Sequence, residues 1–143
     1  MSERRVKILQ LMRRQTRVKA GQLSGRLAAI KDQEYQEFDL ADRVRQMRDH
    51  ARLGATSIGH GGDLTWATFV GKTLTEQLGA SHARSAELQR ERTALEAELS
   101  KVMTRDKSLR DTQEEALRSV KSLRAELEER RDTPPAPRPP GSG

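Results

Sequence analysis

"LQRERTALEAELSKVMTRDKSLRDTQEEALRSVKSLRAEL", residues 88 to 127, carries the repeat on which the fold turns. Stepping by three and four residues in turn picks out Leu88, Arg92, Leu95, Leu99, Val102, Asp106, Leu109, Gln113, Ala116, Val120, Leu123 and Leu127 without a slip. Followed backwards, the same steps reach Ser85, Ser81, Leu78, Leu74, Gly71, Ala67 and Leu64. A spacing of 3.5 kept over so many turns is the signature of a left-handed coiled coil. The polar members Ser81, Ser85, Arg92, Asp106 and Gln113 read as interruptions that leave this stripe only moderately cohesive.

The first part of the chain repeats the theme less tidily. Val6, Leu9, Thr16, Ala20, Leu23, Leu27 and Ile30 keep the spacing, Glu34 and Glu37 interrupt it, and Leu40, Val44, Met47 and Ala51 are taken to resume it. Between the two stripes lies "LGATSIGHGGDLTW", residues 53 to 66, with Gly54, Gly59, Gly61 and Gly62. Glycine tolerates the left-handed conformation that closes a helix, so Gly54 is expected as a C-cap and Asp63 as the N-cap of the next helix. The expected fold is all-α. Two helices, 3–53 and 63–132, bend at 54–62 and bury each other's stripes as an antiparallel intramolecular coiled coil. A rival layout breaks the second helix at Gly71 and Gly79; the unbroken register across both favours one continuous helix.

Composition points the same way. Of the 143 residues, 34% are hydrophobic, 34% charged and only 3% aromatic, too little bulk for a thick core. All five prolines (Pro134, Pro135, Pro137, Pro139 and Pro140) fall in the final "TPPAPRPPGSG", so helices are expected to end near residue 132, with a disordered or polyproline-like tail at 133–143. A bend centred near Ile58 sets residue 3 against roughly residue 113. Ala116, Val120, Leu123 and Leu127 then overhang by about 20 Å.

No cysteine is present, which removes disulfides, thiolate metal sites and a cysteine nucleophile. His50, His60 and His82 are too scattered for a metal triad. "GKT" at 71–73 resembles the end of a phosphate-binding loop, but Trp66 stands where that motif needs glycine. The carboxylates lie among Arg and Lys on solvated faces, so no enzymatic activity and no cofactor or metal are expected. With no run of eighteen apolar residues, the chain reads as soluble and cytoplasmic, reaching the inner face of a membrane only through partners.

The net charge of +6 is concentrated at one end. Arg4, Arg5, Lys7, Arg13, Arg14, Arg17, Lys19 and Arg26 face a single acid, Glu3, within the first thirty residues. With no aromatic interleaved for base stacking, this basic arm fits an acidic protein better than nucleic acid. Trp66, Phe69 and Leu74, just after the bend, form the most apolar cluster of the chain. They either cap the hairpin's end or dock a protein.

A basic amphipathic helix opening with "RRVKILQLMRRQTRVKAGQL", a short bend and a longer heptad helix together resemble the FliJ family of flagellar type III export proteins and its injectisome counterparts. The resemblance spans nearly all of residues 1 to 132. It implies a stalk like the central shaft of rotary ATPases, linking a hexameric export ATPase to the membrane export gate and helping to recycle export chaperones. By that resemblance Arg4, Arg5, Arg13, Arg14 and Arg17, with the overhanging Val120, Leu123 and Leu127, would meet the ATPase, and Trp66, Phe69 and Leu74 the gate. A generic scaffold and a basic nucleic-acid-binding coiled coil are the alternatives.

Overall fold

The computed structural model describes the backbone of residues 2–57 and 61–132 and the side chains of 3–54 and 65–132. The centre of the expected bend and the expected tail at 133–143 lie outside the described residues, as does His60. Every described residue is helical: α1 runs Ser2–Ser57 and α2 runs Gly61–Asp132. The two pack against each other as an antiparallel helical hairpin, as the paired stripes require.

α1 begins one residue before and ends four residues beyond its expected 3–53, and α2 begins two residues before its expected start at 63 and stops at the expected residue 132. α1 continues through Gly54, which lacks the left-handed φ of a helix-ending glycine, to Ser57. Asp63 falls inside α2 and not ahead of it. A mid-helix glycine costs about 1 kcal/mol relative to alanine, which weakens a helix without stopping it, and no proline stands in the way. For the same reason α2 runs unbroken through Gly71 and Gly79. The stretch from Gly71 to Thr73 is therefore plain helix, with the Thr73 hydroxyl donating to the Phe69 carbonyl, and forms no phosphate loop.

The chain divides into two packing units. One combines α1 up to Ala20 with α2 from Lys101; the other is Gly21–Ser100. In the first, Leu9, Thr16 and Val102 are buried; in the second, Leu23, Ile30, Ala41, Val44, Leu78 and Ser81. Within this second unit Ala41, Val44 and Leu78 form one cluster with Leu74 packed on it. Thr16 is tolerated in a seam because its hydroxyl donates to the Met12 carbonyl one turn back, at 2.8 Å.

On α1 the burial pattern obeys the period more strictly than the apolar residues do. Leu40 and Met47 are exposed, whereas Ala41 is buried and Arg48 half-buried. The expected seam members Leu40 and Met47 are thus each one residue early. Counting three and four from Glu37 gives Ala41, Val44, Arg48 and Ala51, so geometry, not side-chain size, selects which residue turns inward. On α2 the stepped residues from Ala67 to Val120 are all buried or half-buried.

Candidate functional site

The polar residues within the stripes are where the sequence expectation changes most. In the first unit Arg13 is turned inward: its Nε lies 3.5 Å from Asp106 Oδ1, and its Nη1 donates to Gln113 Oε1 at 2.9 Å. In the second, Arg92 Nε lies 2.8 Å from Glu34 Oε1, and Arg84 Nη2 lies 3.2 Å from Glu37 Oε1. The Nε of Arg92 is not aligned for a hydrogen bond with Glu34, so that contact is an ion pair held by charge and distance. The apparent interruptions therefore have partners across the interface: Glu34 and Arg92 meet each other, Asp106 and Gln113 meet Arg13, and Glu37 meets Arg84 at its edge. Opposite charges within a stripe add little stability but penalise every misalignment that separates them, which fixes how the helices slide past each other.

That alignment also resets the helix ends. Glu3 meets Arg124, not residue 113. Eleven positions along α2 correspond to about 16 Å. Ala116 and Val120 are consequently half-buried and not overhanging, while Leu123 and Leu127 are 50% and 58% exposed. The Arg124 guanidinium, by hydrogen bonding and then by charge, holds the exposed Glu3 carboxyl below its ordinary value.

The remaining residues of interest separate in the same way. Arg4, Arg5, Arg14 and Arg17 are exposed and form no ion pair among the described residues. Arg13 differs from them, since its charge is taken up inside the seam. Trp66 and Phe69 stack with ring centroids 6.0 Å apart and stay 67% and 62% exposed. Leu74 belongs instead to the cluster beneath, with Ala41, Val44 and Leu78. Tyr35 and Phe38 are exposed too, so no aromatic ring is buried in either unit.

Sequence reasoning passed over a second apolar row on α1. Ile8, Leu11 and Val18 are 49%, 58% and 57% exposed. Their signal in the sequence is aliphatic residues midway between seam positions, a shorter row overlapped by the longer stripe beside it. Among the described residues no group of acidic or histidine side chains is placed to hold a metal, and no helix is long and apolar enough to cross a membrane.

The class defined by these elements is an antiparallel two-helix hairpin with internal polar pairs. In comparisons with family models, curated proteins and solved structures, none matches this chain.

Proposed function

We propose that this protein is a non-enzymatic stalk of a flagellar-type export apparatus, working through its surfaces as FliJ-family proteins do. The observation that carries the reading is the hairpin itself, with exposed cations along the start of α1 and exposed leucines near the end of α2. Arg4, Arg5, Arg14 and Arg17 are exposed and pair with no carboxylate among the described residues. Leu123 and Leu127 supply exposed apolar side chains at the end of α2 where Arg124 meets Glu3. This combination suits an acidic, partly apolar channel such as the centre of an ATPase ring. Trp66 and Phe69 supply a separate aromatic surface of the kind that concentrates binding energy at interfaces, suited to the gate.

The test is capture of the hexameric export ATPase by the purified protein. Arg4→Glu, Arg5→Glu, Arg14→Glu and Arg17→Glu together should abolish capture while helical circular dichroism is kept. Arg13 is left intact in that variant because its loss would disturb packing. Undiminished capture refutes the assigned arm. Trp66→Ala should weaken gate binding and leave ATPase capture alone.

A further inference from the structure

The back of α1 in the first unit has a composition found on no other described face of the hairpin. At a period of seven, Arg4, Leu11 and Val18 fall in one row and Ile8 and Gln15 in the row beside it, midway between the seam positions. All five are exposed. On one side of this apolar strip run Lys7 and Arg14; on the other run Arg5 and Lys19, also exposed. No carboxylate occurs between Glu3 and Asp32, and Glu3 is already engaged by Arg124. The back of α2 in the same unit carries Asp111, Glu114 and Glu115 among its cations and no comparable aliphatic row. Farther along α1 the corresponding positions are acidic, at Asp32 and Asp39.

We infer that this face of α1, residues 4–19, lies directly on an anionic lipid bilayer. An aliphatic strip bordered on both edges by Lys and Arg is the arrangement of a helix resting in the plane of a membrane surface. The aliphatic side chains enter the boundary of the hydrocarbon, and the long basic side chains reach outward to the phosphates. Charge selects the lipid, since each Lys or Arg near an anionic surface adds roughly a factor of five to ten in affinity. A protein partner fits less well: the face is the convex back of a helix and carries no aromatic anchor, whereas the aromatic residues sit elsewhere. This inference rests on different observations from the stalk reading but shares Arg4, Arg5 and Arg14 with it, so a bilayer and an ATPase ring would exclude each other on this face, and the vesicle assay below is read with no ATPase present.

Sedimentation with vesicles tests it. Vesicles of equal phosphatidylcholine and phosphatidylserine should bind the full chain at least about thirtyfold more tightly than pure phosphatidylcholine, with the difference shrinking as salt is raised. Ile8→Gln, Leu11→Gln and Val18→Gln combined keep every charge and alter only exposed positions. That variant should bind the mixed vesicles at least about tenfold more weakly. Equal binding by the variant would make the attraction purely electrostatic and overturn the assigned face. Because the chain has no cysteine, Gln15→Cys and Ser122→Cys each accept a single environment-sensitive dye. The dye at residue 15 should shift to the blue on the mixed vesicles and the dye at residue 122 should not. A shift at 122 alone, at neither site, or no vesicle binding while an acidic helical peptide is bound, overturns the proposal.

Discussion

Replacing Asp106 by leucine strands Arg13, and the cost of doing so measures what the polar pairs contribute. The Arg13 and Asp106 side chains are 16% and 25% exposed, with charged atoms 3.5 Å apart. At that separation Coulomb's law gives about 4.7 kcal/mol for a dielectric constant of 20 and about 1.2 kcal/mol for water. Desolvation of both groups offsets most of the larger value, so the net loss for Asp106→Leu should be about 1–2 kcal/mol, between surface and buried pairs. Arg13→Leu should cost a similar amount, because it leaves Asp106 and Gln113 without their shared donor. The combined Arg13→Leu, Asp106→Leu variant should recover to wild-type stability or exceed it, two leucines being well suited to a coiled-coil interface. Urea unfolding followed by circular dichroism, analysed as a double-mutant cycle, reads the coupling directly. Additive single losses, with a coupling below about 0.3 kcal/mol, would refute the idea that the pair acts as a unit. Spin labels at Gln10 and Arg110 give a second readout. Their distance distribution should broaden in the double leucine variant, since an apolar interface no longer distinguishes one alignment from its neighbours.

Other outcomes follow from single features. Ser81 is buried and its hydroxyl has no hydrogen-bond partner among the described residues, so Ser81→Ala should stabilise the second unit by about 1 kcal/mol in the same unfolding assay. Gly71 and Gly79 have open space where a Cβ would stand, and Gly71→Ala with Gly79→Ala should together add about 2 kcal/mol; a loss would mean that α2 is broken there. Leu23→Ala should cost about 2 kcal/mol, the low end for a core leucine because the seam is only one side chain deep on each helix. The Glu3 carboxyl should titrate below the ordinary glutamate range by NMR, because Arg124 hydrogen-bonds and attracts its charged form. Since its folded value lies below its unfolded one, the contribution of its pair with Arg124 is present at neutral pH and disappears as acid carries the solution down through the lowered value. Glu3→Gln should abolish that part of the pH dependence.

The helices were legible because their signal is cumulative: absence of proline and a period kept over many turns outweigh any single glycine. The seam of α2 was legible residue by residue for the same reason. On α1 the reading failed at Leu40 and Met47, where larger apolar side chains stood one place from the small Ala41 and the charged Arg48 that the period selects. The cross-pairs failed for a different cause. Which residue faces which depends on how the two helices are aligned, and counting residues outward from Ile58 does not fix that alignment, so Glu3 was set against the wrong part of α2. The observed pair of Glu3 with Arg124 lies eleven positions farther along α2 than expected, so the expected overhang was too long, and Arg13 was assigned to a partner and not to Asp106. The aliphatic row on the back of α1 was visible in the residues but had no standing until burial showed which of two interleaved stripes α2 covers.

The exclusion of every aromatic ring from the packed interior has an optical consequence. Trp66 is already surrounded largely by water in the folded chain, so its emission should change little when the helices melt. Anything that settles over that indole, however, will alter its colour and brightness at once. The protein thus carries a native fluorophore that is nearly blind to its own unfolding and responsive to whatever lands beside Phe69.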